Sequence, residues 1–189
     1  SGVAGKLSDQ QNSFLGTIRS NIDRMNTLVS DLNDVTKLQT DNLRMEFAPV
    51  DFRNIITETL RPLTKQIEDK GQTLNMNLPK DMPNIQADQN RLIQVMTNLV
   101  SNAYKYTPPD GDIHVNGEVM QRNLDAKGRD LGPALHISVQ DTGIGMSPEQ
   151  LERLFQDFVQ GDASTTRRFG GTGLGLSIVH NVVRQSGGH

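Results

Sequence analysis

The sequence contains no cysteine, no tryptophan, four histidines and only 4% aromatic residues. Without cysteine there is no disulfide framework, no thiolate zinc site and no cysteine nucleophile. So few aromatic rings argue against a base-stacking platform. No apolar run approaches the roughly 20 residues of a membrane span, and no signal peptide precedes the first motif. A net charge of −3 offers no basic excess to attract nucleic acid. What is present is a chain of 189 residues, 34% of them hydrophobic, enough for one domain with a core and a smaller appendage. Glycine stands out, with 17 residues and a dense cluster between Gly143 and Gly188.

Ser8 is a candidate cap for a helix starting at Asp9 or Gln10. Leu15, Ile18, Ile22, Met25, Val29 and Leu32 then recur at alternating spacings of three and four, the seam of a coiled coil or helical bundle. Phe14, Leu28 and Val35 widen the stripe, and it turns polar at Thr36 and Gln39. The favoured reading is half of a helical hairpin that pairs with another chain; the alternative is an amphipathic helix packed on its own domain. Leu43 to Phe47 reads as an extended link. Asp51 caps a second helix running to about Lys70, with Gly71 as its stop and Pro62 expected to kink or split it. Strands are expected over 72–78 and 84–87. Asp88 caps an amphipathic helix carrying Leu92, Val95, Met96, Leu99, Val100 and Ala103. A hairpin over 113–120 and 134–140 encloses a long polar loop. A short helix opens at Ser147-Pro148-Glu149 and runs to about Phe155. A last helix spans 173–186, after a polar, glycine-bearing stretch.

Three segments carry candidate chemistry. In Asn98-Leu-Val-Ser-Asn102-Ala-Tyr-Lys105-Tyr106, the two asparagines are one helical turn apart and Lys105 follows on the same face. Two carboxamides and an ammonium suit a bound phosphate with Mg²⁺, a hard ion that takes oxygen ligands; a solvated helix face is the plainer reading. Asp141-Thr-Gly143-Ile-Gly145-Met directly follows a strand. Its carboxylate could accept a hydrogen bond from a ring amino group, and its glycines allow a flat ligand to approach; an unliganded strand-to-helix turn is equally compatible. Gly170-Gly171-Thr172-Gly173-Leu174-Gly175-Leu176-Ser177 leads into a helix, where backbone N–H groups and the helix dipole favour an anion. Its spacing matches neither the dinucleotide fingerprint nor the P-loop.

In this order, the three segments resemble the N box and the two glycine boxes of the sensor histidine kinase ATP-binding domain, with Phe155-Gln156-Asp157-Phe158 similar to that family's F box. The resemblance implies an α+β fold: a two-layer α/β sandwich of the histidine kinase and gyrase type, with a mixed sheet and three main helices, preceded by a long bundle helix. It divides the chain into residues 1–46, the second helix of a dimerisation and phosphotransfer hairpin, and 47–189, a catalytic domain whose C-terminal strands are truncated. ATP and Mg²⁺ are the implied cofactors. Asn102 would be the Mg²⁺ ligand, with Asn98 beside the phosphates and Lys105 neutralising their charge; these three form the catalytic set. Tyr106 would lie near the adenine or ribose, Asp141 would recognise the adenine amino group, and Gly143 and Gly145 would line the base pocket. Gly171, Thr172, Gly173, Leu174, Gly175 and Leu176 would surround the phosphates. Residues 156–170 would form a lid, from which Arg167 or Arg168 could reach the γ-phosphate; a solvated loop charge is the plainer role for each.

Where gyrase-like ATPases of the superfamily carry a water-activating glutamate, this sequence has Asn98, and an amide is no general base at neutral pH. That favours phosphoryl transfer to a protein acceptor over hydrolysis. No histidine here is followed by an acidic residue and a nearby proline, so the acceptor is expected outside this chain, which reads as a fragment cut at both ends. A non-catalytic nucleotide-binding or dimerisation module is the alternative. The resemblance further implies a homodimer through the hairpin and a response-regulator receiver domain as partners. It implies a cytoplasmic location without direct membrane contact, compatible with a membrane anchor in the full-length parent.

Overall fold

The structure, a computed structural model, describes residues 5, 7–39, 45–124, 128–152, 154 and 173–188. It forms two compact units, Ser1–Leu43 and Arg44–His189.

The first unit is the helix α1, Asp9–Gln39. Its start is a reciprocal capping box: the Ser8 N–H donates to Gln11 Oε1 at 2.8 Å and the Gln11 N–H to Ser8 Oγ at 3.2 Å. Phe14, Leu15, Ile18, Ile22, Met25 and Val29 are all exposed. These are the described members of the expected apolar stripe, and each keeps about half or more of its surface open.

In the second unit, β1 (Ala48–Val50) pairs antiparallel with β3 (Ile85–Ala87) in a small ribbon. A second sheet has the order β2-β4-β5, from β2 (Thr73–Asn77), β4 (Asp112–Met120) and β5 (Ala134–Asp141). The β2–β4 pair is parallel and the β4–β5 hairpin antiparallel, so this sheet is mixed, as expected. A parallel pair needs a crossover, and the segment from β2 to β4 supplies it with β3 and α3 (Gln89–Tyr106). Helices α2 (Phe52–Asp69) and α3 pack on the sheet. Ile56, Leu60 and Ile67 of α2, Met96 and Val100 of α3, and Ile113 and Val115 of β4 are almost fully buried. A short α4 (Pro148–Glu152) follows β5, and α5 (Gly175–Gln185) packs on α3.

The helix boundaries follow from their caps. Asp51 Oδ1 accepts from the Asn54 N–H at 3.0 Å, and Gly71, at φ +78°, ends the turn after α2. Asp88 Oδ1 accepts from the Asn90 and Arg91 N–H groups, while its Oδ2 accepts from the Glu46 N–H at 2.9 Å. One buried carboxylate thus starts α3 and anchors the strand entry of β1.

Three expectations need correction. Pro62 does not split α2, which is one continuous helix. The extended link expected over Leu43 to Phe47 leads into strand β1, which is not among the expected strands; its Pro49 is tolerated in this two-stranded ribbon opposite Gln86. The last helix begins at Gly175 rather than Gly173. The far end of α4, with Phe155, lies outside the described residues.

Candidate nucleotide-binding site

Helix α3 is the frame of the site. Val95, Met96, Val100 and Ala103 are buried, which turns Asn98, Asn102 and Lys105 to a half-buried margin. The Asn98 Nδ2–H donates to the Gly175 carbonyl at 3.3 Å. A side chain at Gly175 would start 3.5 Å from the Asn98 carboxamide, so the first turn of α5 rests directly on α3. Gly173, at φ +73°, makes the approach to that turn. Leu174 is 2% exposed, its carbonyl accepting from Ile178 N–H at 3.0 Å and Ser177 Oγ–H at 2.9 Å. Buried Leu174 and Ser177 thereby pin the start of α5, whose leading N–H groups have no partner within the helix. Gly175 and Leu176 are half-buried in this turn.

The Asp141 loop meets the other end of α3. Asp141 closes β5 opposite Ile113, with an exposed side chain. Its Oδ1 accepts from the Gly143 N–H at 2.8 Å, a local turn that leaves the second carboxylate oxygen for an external donor. The Ile144 N–H donates to the Tyr106 carbonyl at 3.3 Å. Thr142 ties the loop to β4, its N–H donating to the Asp112 carbonyl at 3.1 Å and its Oγ1 accepting from the Asp112 N–H at 2.9 Å. Gly145 adopts φ +65°, with Ile144 and Met146 exposed beside it.

The structure thus brings Asn98 and Gly175 together on α3, with Gly173 and Leu174 in the turn just before, and Tyr106, Asp141 and Gly143 together at the C-terminal end of the helix. Asn102 and Lys105 lie between these contacts. Among the described residues, neither the Asn102 carboxamide nor the Lys105 ammonium has a hydrogen-bond or ion-pair partner. Arg167, Arg168, Gly171, Thr172, the lid 156–170 and the F-box residues 155–158 lie outside the described residues.

Two residues gave no signal in the sequence. Lys70 Nζ donates to the carbonyls of Tyr104 at 2.5 Å and Thr107 at 2.9 Å, and stands 4.6 Å from the centre of the Tyr104 ring. Burial lowers the Lys70 pKa from the ordinary lysine value. Gln72 Nε2 donates to the carbonyls of Thr107 at 2.5 Å and Tyr104 at 3.2 Å. Both side chains serve the last carbonyls of α3, which no helical N–H satisfies.

A two-layer fold with a mixed sheet, an asparagine-bearing helix and two glycine turns abutting it defines an ATP-binding domain of the histidine kinase type. Residues 87–189 match the family of histidine kinase-, DNA gyrase B- and HSP90-like ATPases, and the chain belongs to that family. It is 36% identical over 184 residues to the signal transduction histidine-protein kinase BarA of Escherichia coli K12, covering 97% of this chain and 19% of that protein. It is 35% identical over 184 residues to the sensor protein GacS of Pseudomonas syringae pv. syringae, covering 97% and 20%. Full-length ShkA, crystallised with AMPPNP, superposes with a TM-score of 0.73 at 28% identity, over 95% of this chain and 35% of that one. The chain spans about a fifth of the length of the curated relatives it matches. Among the described residues, no helix is long and apolar enough to cross a membrane.

Proposed function

We propose that this chain is the catalytic part of a sensor histidine kinase, passing the γ-phosphoryl of Mg-ATP to a histidine outside residues 1–189, for relay to a response-regulator aspartate. The observation that carries this reading is the seating of both glycine turns on the Asn98–Tyr106 stretch of α3. That arrangement offers an anion-binding helix start at one end and the Asp141 carboxylate at the other, with Asn102 and Lys105 between, neither partnered among the described residues. Asp141 would accept the adenine amino hydrogen through its second oxygen. Lys105 and the N–H groups opening α5 would balance phosphate charge. The Asn102 carboxamide oxygen fits Mg²⁺, a hard cation commonly held by few protein ligands plus phosphates and water. Bound Mg²⁺ would supply charge neutralisation of the transferring phosphoryl group. Asn98 holds Gly175 and cannot take a proton from water, which supports transfer over hydrolysis.

Residues 1–46 would be the second helix of the dimerisation hairpin and 47–189 the catalytic domain. The exposure of Phe14, Leu15, Ile18, Ile22, Met25 and Val29 on α1 supports that division, since such a seam is stabilised when another helix covers it. Calorimetry with AMPPNP tests the site: Asn102→Ala should abolish Mg²⁺-dependent binding, and unchanged affinity would remove Asn102 from the ion. Adding the chain to a catalytically dead full-length kinase should yield acid-labile phosphate in trans. Binding without such labelling would favour the alternative, a nucleotide-binding module that does no chemistry, which the lack of a histidine in an acceptor context supports.

A further inference from the structure

Lys70 and Gln72 lie at the α2–β2 junction, more than thirty residues before the carbonyls they hold. Those carbonyls belong to Tyr104 and Thr107, with a longer Lys70 contact of 3.5 Å to Lys105 and a longer Gln72 contact of 3.4 Å to Pro108. They flank Tyr106 on both sides. The Tyr106 carbonyl in turn accepts from the Ile144 N–H, and the Gly143 backbone lies against it.

Gln72 is 4% exposed, and among the described residues its Oε1 has no hydrogen-bond partner. A buried, unpaired amide oxygen is a cost to folding that an apolar side chain of the same size would not carry. The oxygen therefore gives no reason for an amide here. The reason lies in the Nε2 donors, which are committed to the end of α3. Lys70 makes the same case, since its half-buried ammonium gives up part of its hydration and gains the α3 carbonyls and the Tyr104 ring in exchange.

We propose that Lys70 and Gln72 are positioning residues for the nucleotide site: by holding the carbonyls on either side of Tyr106, they fix the shelf on which the Asp141–Gly145 loop rests. The proposal rests on the reading of that loop as the adenine-binding segment. Neither residue touches the loop; both act through Tyr106.

The test uses the full chain with Gln72→Met, Lys70→Met, Lys70→Arg and, as a control, Ile56→Val, a buried α2 change away from the end of α3. Two quantities are read: AMPPNP affinity with Mg²⁺, and hydrogen exchange of the Ile144 amide. Gln72→Met and Lys70→Met should each weaken AMPPNP about tenfold, the scale of one weakened hydrogen bond. Both should speed Ile144 exchange. Gln72→Met should do so with Tm within about 3 °C of the parent, because the unpaired oxygen leaves with the donor. Lys70→Arg, which keeps a cationic donor, should recover most of the affinity. Ile56→Val should lower Tm and move neither readout. Wild-type affinity and exchange in Gln72→Met and Lys70→Met, or losses no larger than in Ile56→Val, would overturn the proposal. If the parent chain itself fails to bind AMPPNP, the ATP reading fails separately, and the exchange measurement still decides: faster Ile144 exchange supports the clamp, unchanged exchange overturns it.

Discussion

Gly143→Ala is the sharpest perturbation of the loop, and its consequence is steric. The Gly143 φ is not positive, so an alanine there escapes the left-handed backbone penalty. Its Cβ, however, would lie 2.5 Å from Asp141 Oδ1, 2.6 Å from the Tyr106 carbonyl oxygen and 2.9 Å from its carbon. Comfortable contacts begin near 3.5 Å, so the shortfall is on the order of 1 Å. The Tyr106 carbonyl belongs to the last turn of α3, where Lys70 and Gln72 hold the Tyr104 and Thr107 carbonyls on either side of it, which resists its retreat. Asp141 can rotate away only by releasing the Gly143 N–H. The loop must therefore lift, which stretches the Ile144–Tyr106 hydrogen bond as well. Overpacking of this kind costs about 1–3 kcal/mol, and each hydrogen bond about 1 kcal/mol more. Lifting an exposed loop leaves the core intact, so Tm should fall by only a few degrees, about 3–6 °C. The remaining cost falls on nucleotide binding, a loss of roughly 30-fold or more in AMPPNP affinity if about 2 kcal/mol is expressed there. Gly145→Ala is the comparison. Nothing lies within 4 Å of its added carbon, but φ +65° strains any side chain by about 1 kcal/mol. Backbone amide spectra should show Ile144 and Thr107 displaced in Gly143→Ala and undisturbed in Gly145→Ala. An Ile144 amide unmoved in Gly143→Ala, together with parental affinity, would refute the steric account.

Asp88→Ala removes the acceptor for three backbone N–H groups. It should cost roughly 2–3 kcal/mol in urea unfolding, with Asp88→Asn losing clearly less; a midpoint near that of the parent would contradict the capping role. Gly175→Ala brings its carbon only to ordinary contact with Asn98, at 3.5 Å. Tm should hold or rise, by up to about 1 kcal/mol of added stability, and a marked fall would mean that the α5–α3 seat is tighter than described. The Asp130 carboxyl titrates below the ordinary aspartate value because it accepts hydrogen bonds from the Gly132 N–H and from Arg122, at 2.9 Å each. A depressed carboxyl pKa stabilises the β4–β5 loop fully above the unfolded value, about 3.9, and that contribution fades as pH falls through the folded value. In a carboxyl-carbon NMR titration, Arg122→Ala should raise the Asp130 midpoint only part of the way, since Gly132 still donates.

Much of this architecture was legible because it is written in local chemistry. The caps at Ser8, Asp51, Asp88 and Ser147 are side chains acting on amides two or three residues ahead, and each lies where the pattern placed it. The three glycine- and asparagine-bearing segments were likewise legible, because glycine and carboxamide spacing survives in the linear order. Two features were hidden for the opposite reason. Strand β1 holds only three residues, one of them Pro49, and exists because β3 lies opposite it. Continuity of α2 through Pro62 is also tertiary. An interior proline costs about 3 kcal/mol, but Leu60 and Ile67 on its flanks are fully buried, and each such side chain contributes about 1.5–3 kcal/mol. Packing on both sides of the break outweighs it. The partners of Lys70 and Gln72 are bare carbonyls, which every residue has, so no side-chain pattern could announce them.

Helix α3 is held at both ends by groups from elsewhere in the second unit. Asp88 ties its first turn to the entry of β1, while Lys70 and Gln72 tie its last carbonyls to the start of β2. A helix fixed only by apolar packing can slide or roll until its side chains find equivalent holes. One fixed at each end by directional bonds cannot shift without breaking several of them together. The proposed site depends on that restraint, because it is assembled from separate stretches of chain that meet only on α3. The α5 start is referenced to Asn98 and the Asp141 loop to Tyr106, eight residues and about 12 Å of helix apart. Any ligand that spans both contacts would find its two ends spaced by the α3 backbone, whose rise per residue is invariant. The mutual distance of the proposed base-side and phosphate-side groups is thus a property of the helix and need not be maintained by either loop.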